Sequence, residues 1–396
     1  MFDKEHPVIA LTGATGFLGS HLMAQLLQNG NRLIILGRST QEEALHARIR
    51  KLLRWFGMEG PTDKLEMVET DFSPPMIGIP EAKYDRLCAV TDQIIHCASD
   101  TNFSERKRGL VFAANVHSLN GILEFAVHGH EKVFNYISTA YVAGITNTVC
   151  KETLPEGSTF VNVYEESKAR AETIIASFCE KNAIPLTIIR PSIVFGDSRT
   201  GRSLKFNALY FPIKTVQYIK DIYLNDIKNN GGKKSQKSGI FIDSQGYLNL
   251  PLRVYLTRKG SINLIPVDYF VNATRKIIER DSPGGIFHLT NTSAPTLETL
   301  AAYNKEFMKI RGVEILYGQA ENNVMRNPVE ELFDRFIEPY RPYLSDNRLF
   351  DRTNTDLATD HLQPPEFTNE IFKKCMEYAI GVNWGGSIFA EENNRN

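Results

Sequence analysis

The sequence predicts an α/β protein built on a doubly wound parallel sheet. Short apolar runs, such as residues 8–11 and 33–36, alternate with helix-length segments through the first half of the 396-residue chain. Runs of this length suit strands buried on both faces, and repeated strand–helix–strand units give parallel sheets. This rhythm changes near residue 201. We therefore predict a sheet domain over residues 1–200, to which later segments can return, and a smaller α/β region over residues 201–396.

The hydrophobic pattern predicts the strands and helices, and capping and turn residues indicate where they begin and end. We predict strands at residues 8–11, 33–36, 94–95, 133–137, 186–189, 239–242, 264–265 and 286–289, and helices at residues 17–29, 40–56, 110–127 and 164–180. Residues 40–43 have the spacing of a capping box, which places the start of the second helix there. Residues 225–238 are polar and rich in lysine and glycine, and we predict a loop.

Composition excludes several classes of function. Lys and Arg number 45 against 46 Asp and Glu, and this balance argues against a nucleic-acid partner. We find no apolar run near the ~18 residues of a membrane helix, and the N-terminus lacks a signal-peptide layout. The five cysteines fit neither a disulfide framework nor a metal pair, and His128 with His130 lacks further ligands. We expect a cytoplasmic protein with no metal and no membrane span; the oligomeric state stays open.

A glycine-rich segment, Thr12-Gly13-Ala14-Thr15-Gly16-Phe17-Leu18-Gly19, follows the first strand and opens the first helix. Gly13 permits a tight turn, Gly16 lets backbone N–H groups approach a pyrophosphate, and Gly19 lets the helix pack closely on the strand. The segment predicts a Rossmann-type dinucleotide site. The expected cofactor contacts are Gly13, Thr15, Gly16, Phe17, Leu18 and Gly19.

The end of the second strand indicates which dinucleotide binds. An NAD site usually has an acidic residue there for the ribose 2′-hydroxyl, whereas this chain has Arg38 followed by Ser39. A cation beside a hydroxyl suits a 2′-phosphate, so we predict NADP(H) with Arg38 as anchor and Ser39 as helper. Asp71 and Phe72 follow the third strand. They either cover the adenine or form an ordinary strand-end turn.

Tyr164 and Lys168 are four residues apart, which places them on one face of a helix. A nearby ammonium favours the phenolate, and we expect Lys168 to lower the pKa of Tyr164 toward ~7 for acid–base work. Lys168 can also bond the nicotinamide ribose. A third partner is expected after the strand at residues 133–137, where Ser138 and Thr139 both offer a hydroxyl to a substrate carbonyl.

With these motifs the chain resembles the extended short-chain dehydrogenase/reductase superfamily. It is most similar to the branch of thioester reductase domains, carboxylic acid reductase terminal domains and fatty acyl-CoA reductases. The resemblance covers roughly residues 7–300. It rests on residues 12–19, 96–103, 115–116, 136–144, 164–172, 190–201 and 265–269. It implies that Thr139 is the catalytic hydroxyl, that Cys97 and Ala98 pass beneath the cofactor, and that the nicotinamide pocket is lined by Pro191, Ser192, Ile193 and Val194.

The resemblance implies an NADPH-dependent reductase of a thioester-activated acyl group, carried by a carrier protein or coenzyme A. The product would be an aldehyde or, after a second hydride, an alcohol. One alternative is a sugar-nucleotide epimerase or dehydratase, or a ketone or aldehyde reductase. Another is a non-catalytic NADP-sensing protein, which has no need for both Tyr164 and Lys168.

The substrate-selecting regions match no motif. Residues 205–262 and 314–396 fall in this class, and we expect them to choose the substrate. Aromatic residues of the first segment either line an apolar acyl channel or belong to the core. They are Phe206, Tyr210, Phe211, Tyr218 and Tyr223.

Overall fold

The computed structural model describes residues 7–58, 63–146, 148–156, 159–318 and 325–389. The N-terminal residues 1–6, used above to argue against a signal peptide, lie outside this set. Within it the strands are β1 (Val8–Thr12), β2 (Arg32–Gly37), β3 (Leu65–Glu69), β4 (Gln93–His96), β5 (Val133–Ile137), β6 (Leu186–Pro191), β7 (Ile193–Phe195), β8 (Phe241–Ile242), β9 (Leu248–Leu256), β10 (Leu264–Pro266), β11 (Gly285–Leu289) and β12 (Ile310–Tyr317).

Helices connect most of these strands. They are α1 (Phe17–Gln28), α2 (Leu45–Trp55), α3 (Glu81–Val90), α4 (Arg108–Phe112), α5 (Leu119–Val127), α6 (Val163–Lys181), α7 (Tyr210–Asn229), α8 (Lys233–Lys237), α9 (Val267–Ile278), α10 (Leu297–Met308), α11 (Pro328–Ile337), α12 (Arg341–Leu344), α13 (Thr353–Thr359) and α14 (Asn369–Gly381). A π-helical turn over Ala113–His117 joins α4 to α5.

The main sheet has seven strands in the order β11-β6-β5-β4-β1-β2-β3, and every adjacent pair is parallel. Ile9 and Leu11 of β1 enter one hydrophobic core while Ala10 between them enters another, so both faces of the sheet are covered. The predicted doubly wound α/β sheet is confirmed. β11 comes from beyond residue 200 and pairs with β6, so the sheet is completed by a later segment.

A second, smaller sheet lies in the C-terminal half, in the order β12-β9-β8. β9 pairs in parallel with β12 and antiparallel with β8. Alternate residues of β9 are buried, and they share a core with α7, α11 and α14. Neither β9 nor β12 was among the predicted strands, although the alternation of apolar residues from Leu248 to Leu256 is a strand signal.

Two sequence expectations about local structure are wrong. The second helix begins at Leu45 and not at Thr40, whose hydroxyl accepts from the Glu43 N–H at 3.0 Å within a preceding turn. The Ser39 hydroxyl instead accepts from the Leu45 N–H at 2.9 Å.

The segment predicted as a loop over residues 225–238 is mostly helical, because it completes α7 and forms α8. The Asp226 carboxylate accepts from the backbone N–H and the hydroxyl of Ser235, at 2.8 and 2.7 Å. These two bonds fold the polar segment back onto α7.

One helical run has the length and composition to cross a membrane. It extends over Glu105–Val127, 23 residues with a mean hydropathy of 1.4, and half of its most apolar window is buried inside the fold. The sequence prediction of no such run overlooked this segment, because polar residues such as Asn115 and His117 interrupt it. A core helix passes the same test, and Val111, Leu119 and Ile122 of this run are fully buried.

A buried ion pair joins α6 to the main sheet. Arg190 of β6 donates to both carboxylate oxygens of Glu172, at 2.9 and 2.6 Å, and both side chains are nearly inaccessible to solvent. The guanidinium also bonds the Thr153 carbonyl at 2.8 Å and the His288 ring at 3.1 Å. Burial and the adjacent guanidinium lower the pKa of His288 to about 3, so the neutral ring accepts from Arg190.

We expect Glu172→Gln to lower the free energy of unfolding by about 3 kcal/mol, because it leaves a buried guanidinium without its counter-charge. Denaturant unfolding measures this change. The matched control is Glu370→Gln, which removes an exposed ion pair with Lys374 and should cost less than about 1 kcal/mol. Equal losses in the two variants would contradict the structural importance of the buried pair.

Candidate active site

The glycine-rich turn lies at the carboxyl end of β1 and leads into α1. Gly13 has φ +72°, and a Cβ on it would lie 2.6 Å from the backbone nitrogen of Ala98. A Cβ on Gly19 would lie 2.2 Å from the Gly13 carbonyl oxygen. The first turn of α1 carries no acidic residue, so its N-terminus suits an anionic group. These features fit the pyrophosphate of a dinucleotide, as predicted from the motif.

The loop after β4 packs against this turn. The Thr12 hydroxyl accepts from the backbone N–H groups of Cys97 and Ala98, at 3.2 and 3.1 Å. Asn115 in the π-helical turn accepts from the Asp100 N–H at 2.7 Å and donates to the Ser167 hydroxyl at 2.9 Å. The loop is thereby fixed to both β1 and α6. Burial raises the pKa of Cys97 to about 11, so its thiol is a poor nucleophile near neutral pH.

Arg38 and Ser39 lie exposed at the carboxyl end of β2. The Ser39 hydroxyl, besides capping α2, donates to the carboxylate of Glu69 at the end of β3. Arg48 of α2 donates to the Arg38 carbonyl at 3.0 Å, which brings a second guanidinium to this corner. Sequence reasoning missed both Glu69 and Arg48, since neither lies in a motif.

Asp71 and Phe72 occupy the turn after β3. An Asp71 carboxylate oxygen accepts from the Ser73 N–H at 3.0 Å, which is an Asx-turn contact. The Phe72 ring lies edge-on to the His96 ring at 6.4 Å and packs against the core. The turn is ordinary in form, and contact of these two residues with the adenine stays a prediction.

Tyr164 and Thr139 line the same cleft. Thr139 follows β5 and caps a short helical turn by accepting from the Tyr141 N–H at 3.3 Å, and its hydroxyl donates to the Pro191 carbonyl at 3.5 Å. The neighbouring Ser138 hydroxyl is buried with no hydrogen-bond partner in the described part of the chain. Thr139 lies close enough to Tyr164 to favour its phenolate, while Ser138 keeps a hydroxyl with no partner among the described residues.

The Lys168 ammonium bonds residues of β5 and not the Tyr164 phenol, contrary to the close pair expected from the motif. It donates to the Ile137 carbonyl at 2.8 Å and to the Tyr136 hydroxyl at 3.1 Å. Burial lowers the pKa of Lys168 to about 8. The pKa of Tyr164 is raised and not lowered, because burial of the phenol outweighs the hydrogen bond from Thr139. Tyr164 is therefore a protonated acid at neutral pH.

The segment predicted to line the nicotinamide pocket runs from the end of β6 into β7. The Ser192 N–H donates to the Leu289 carbonyl at 3.0 Å, and β7 pairs in parallel with β10. The Ser192 hydroxyl is buried and has no hydrogen-bond partner among the described residues. This segment therefore lines the cleft with a mostly apolar surface that carries one hydroxyl without a hydrogen-bond partner among the described residues.

One cavity of about 370 Å³ unites most of these side chains. The predicted site residues that line it are Gly13, Gly16, Phe17, Leu18, Gly19, Cys97, Thr139, Tyr164, Lys168, Pro191, Ser192, Ile193 and Val194. The remaining predicted residues lie outside its lining, and they are Thr15, Arg38, Ser39, Asp71, Phe72 and Ala98. Ser138 lines the cavity as well.

The same cavity continues into the C-terminal half of the fold. There it is lined by aliphatic and aromatic side chains of α7, α10, α11, β9 and β12. We call this part the distal arm. It is formed by Leu209, Pro212, Ile213, Val216, Leu252, Val254, Leu297, Leu300, Ala301, Asn304, Val313, Ile315 and Phe333. The arm and the Tyr164 end are parts of one continuous space.

The aromatic residues considered for an acyl channel do not line this cavity in the described structure. Phe206, Tyr210 and Tyr223 are buried in the C-terminal core. Phe211 packs on Tyr340, and Tyr218 is exposed. The distal arm is lined instead mainly by aliphatic residues, some of them on α7, together with Phe333.

A second set of residues, absent from the sequence motifs, surrounds Tyr164. Tyr343 of α12 donates to the Glu165 carboxylate at 2.7 Å and accepts from Asn162, the cap of α6, at 2.7 Å. Its ring lies 5.7 Å from that of Phe103, which in turn lies 6.0 Å from Tyr164. Only the tertiary fold brings Tyr343 to α6, so no local signal could have found it.

The chain is similar to several known proteins. A family model described as Male sterility protein, an NAD-binding model, matches residues 11–274. A linear gramicidin synthase protein of Brevibacillus parabrevis is 27% identical over 98% of this chain, which spans only 7% of that protein.

Two solved structures share the fold. The terminal R domain of the myxalamid PKS-NRPS pathway has a TM-score of 0.72 at 23% identity, over 97% of this chain and 93% of that one. A thiolation-reductase di-domain from an archaeal non-ribosomal peptide synthetase has a TM-score of 0.65 at 19% identity, over 96% of this chain and 92% of that one.

The resemblance inferred from the motifs is confirmed by the family match, which covers the dinucleotide turn, the loop after β4 and the helix that bears Tyr164 and Lys168. The chain belongs to the Male sterility protein family, and it is an oxidoreductase of the extended short-chain dehydrogenase/reductase type that uses a nicotinamide dinucleotide.

Proposed function

We propose that this protein is an NADPH-dependent reductase of acyl thioesters presented on a carrier protein or on coenzyme A, with an aldehyde as first product. The single observation that carries the proposal is the continuity of the cavity. The Thr139–Tyr164 pair, the wall over residues 191–194 and the distal arm all face it. The similarity to a thiolation-reductase di-domain supports a carrier-bound substrate.

A reduced nicotinamide dinucleotide held by the glycine-rich turn and Lys168 would supply the hydride for the carbonyl carbon of the thioester. Negative charge then develops on the carbonyl oxygen, and the hydroxyls of Thr139 and Tyr164 donate hydrogen bonds to it. Tyr164 transfers its proton to that oxygen, which gives a hemithioacetal. Collapse of the hemithioacetal breaks the carbon–sulfur bond and releases an aldehyde and a thiol.

Lys168 holds the cofactor and balances charge. Its ammonium is fixed at the end of β5 by the Ile137 carbonyl, in the same cavity as Tyr164. There it can bond the nicotinamide ribose and offset the phenolate that Tyr164 becomes after proton transfer. A protonated Tyr164 at rest suits the reductive direction, because reduction consumes a proton from this group.

The preference for NADPH is supported by two cations at the end of β2. Arg38 is exposed there, and Arg48 lies within hydrogen-bonding distance of its backbone. The Glu69 carboxylate opposes them, but it pairs with Ser39. We therefore place the 2′-phosphate beside Arg38 and treat Ser39 as a cap of α2 and not as a phosphate ligand.

The direct test supplies the purified protein with NADPH and matched acyl groups on a carrier protein, on coenzyme A and as free aldehydes. Cofactor oxidation gives the rate, and mass spectrometry identifies the products. Aldehyde or alcohol formation from a thioester supports the proposal. Failure to reduce any thioester while NADPH remains bound and free aldehydes are turned over would assign the protein to the aldehyde reductases instead.

Arg38→Asp should abolish the preference for NADPH. We expect the unmodified protein to bind NADPH at least ~10-fold more tightly than NADH, from one charge-assisted contact worth ~1.5 kcal/mol or more. Titration of both cofactors by fluorescence measures the ratio. Arg32→Asp is the control, because it makes the same charge change at the opposite end of β2. Equal dissociation constants for the two cofactors in the unmodified protein would contradict the expected preference for NADPH.

Tyr164→Phe keeps the ring and removes the acid. We expect kcat to fall by ~10²-fold or more, with NADPH affinity nearly unchanged. Residual activity should be higher on thioesters than on aldehydes, because a thiol leaves readily without acid assistance. Thr139→Ala should reduce kcat more than Ser138→Ala, since Thr139 lies close enough to Tyr164 to favour its phenolate. Full activity of Tyr164→Phe on every substrate would contradict the proposed role of Tyr164 as the proton donor.

The pH profile should report Lys168. Because burial holds its pKa at about 8, the ammonium is lost as pH rises through about 8, and kcat/KM for reduction should fall over that range. Lys168→Met should be slow at all pH values and lack this decline. If the decline persists in Lys168→Met, another group titrates there and the assignment is wrong.

A further inference from the structure

The distal arm has an aliphatic floor. β9 and β12 run in parallel with Leu252 opposite Val313 and Val254 opposite Ile315, and all four side chains line the cavity. Alternate residues of a strand face one side of its sheet, so these four form a continuous apolar surface. Such a surface gains from contact with hydrocarbon and offers nothing to a charged group.

Helix α10 forms another wall of the arm. Its lining residues are Leu297, Leu300, Ala301 and Asn304, at the three- and four-residue spacings of one helical face. Asn304 therefore lies on the apolar face of α10, at a position where an apolar residue is expected. A carboxamide at this position needs hydrogen-bond partners that its aliphatic neighbours cannot supply.

The side-chain oxygen of Asn304 is buried, and no hydrogen-bond partner for it exists in the described residues. An unsatisfied buried acceptor costs on the order of 1–3 kcal/mol, so a native protein that keeps one usually bonds it to something else. The Ser138 and Ser192 hydroxyls, unsatisfied in the same cavity, face the reacting end. Asn304 belongs to the other end, on an element of the C-terminal layer.

We infer that Asn304 is a specificity-determining residue that hydrogen-bonds a neutral polar group, a hydroxyl or an amide, on the acyl chain at a point remote from the thioester. This rests on the proposed reductase function. The group donates to the carboxamide oxygen, and a hydroxyl or amide can equally accept from the carboxamide nitrogen. The arm residues named above carry no charge, and the same cavity is also lined by Lys205, whose ammonium donates to the Thr101 hydroxyl at 2.9 Å. A remote ammonium is therefore disfavoured.

The substrate class is thus an acyl thioester with an apolar segment and a remote hydroxyl or amide. A plain saturated chain fills the arm but leaves the Asn304 oxygen unpaired. A site that bonds a substrate hydroxyl discriminates strongly against an analogue without it, because the protein group then loses its partner. Substrate specificity in this protein therefore depends on α10, at the end of the cavity remote from Tyr164 and Lys168.

The test measures binding and not turnover. Unreactive thioether analogues of coenzyme A carry chains of one length that differ only in a hydroxyl, placed at successive carbons, or in an internal amide. Calorimetry with the protein and saturating NADP+ gives their dissociation constants. We expect at least one hydroxyl or amide position to bind about 10-fold more tightly than the plain chain. Asn304→Leu should abolish or invert that preference.

Asn229→Leu is the matched control, because it makes the same change at the exposed end of α7, outside the cavity lining. It should keep the preference of the unmodified protein. Asn304→Ala removes the carboxamide without adding bulk, and it replaces Asn304→Leu in the test if that variant does not fold. A preference that survives both Asn304 substitutions overturns the inference, and so does the absence of a preference at any position, as expected if solvent satisfies the oxygen.

The outcome is distinguishable from failure of the proposed function. If the plain and substituted chains bind equally but acyl thioesters are reduced, the reductase stands and the role of Asn304 falls. If the hydroxyl preference depends on Asn304 but no thioester is reduced, the binding arm stands and the reaction assigned to the site is wrong.

Discussion

The buried ion pair between Glu172 and Arg190 fixes the helix on which the active site depends. Tyr164, Lys168 and Glu172 are spaced four residues apart on α6, so they form one stripe along the helix. Lys168 donates to the Ile137 carbonyl at the end of β5, and the Glu172 carboxylate accepts from the Arg190 guanidinium of β6. A slip of α6 along the sheet would break both bonds and move Tyr164 away from Thr139, and the loss of the buried ion pair would cost the most.

Burial, and not the neighbouring ammonium, sets the protonation of the acid. The expected lowering of the Tyr164 pKa assumed a close Tyr–Lys pair, but Lys168 is held by Ile137 and Tyr136. Desolvation disfavours both the phenolate and the ammonium, so it raises the pKa of Tyr164 and lowers that of Lys168. For a reductase this is the useful direction, since the acid begins the reaction with its proton in place.

The sequence predicted the sheet and the reacting end of the site because both are encoded locally. Strands buried on both faces are short apolar runs, and residues at their carboxyl ends meet at one edge of a parallel sheet. The boundary of α2 was missed because the Thr40 hydroxyl serves a turn while Ser39 caps the helix. Residues 225–238 were wrongly predicted as a loop because Asp226 satisfies the polar groups of Ser235 internally.

The distal arm and the Tyr343 contact could not be predicted, because they depend on which distant elements pack together. Tyr343 reaches Glu165 across 178 residues of sequence. Asn304 is unremarkable on α10 until the parallel pairing of β9 and β12 shows that the helix faces an apolar cavity. The reacting end and the distal arm therefore have different roles and belong to different layers of the fold. The residues that transfer a proton are fixed by the main sheet, whereas the residues that accept the chain belong to a layer with its own core. Substitutions in that second core can therefore reshape the arm without moving Thr139, Tyr164 or Lys168, and the same chemistry can serve different acyl groups.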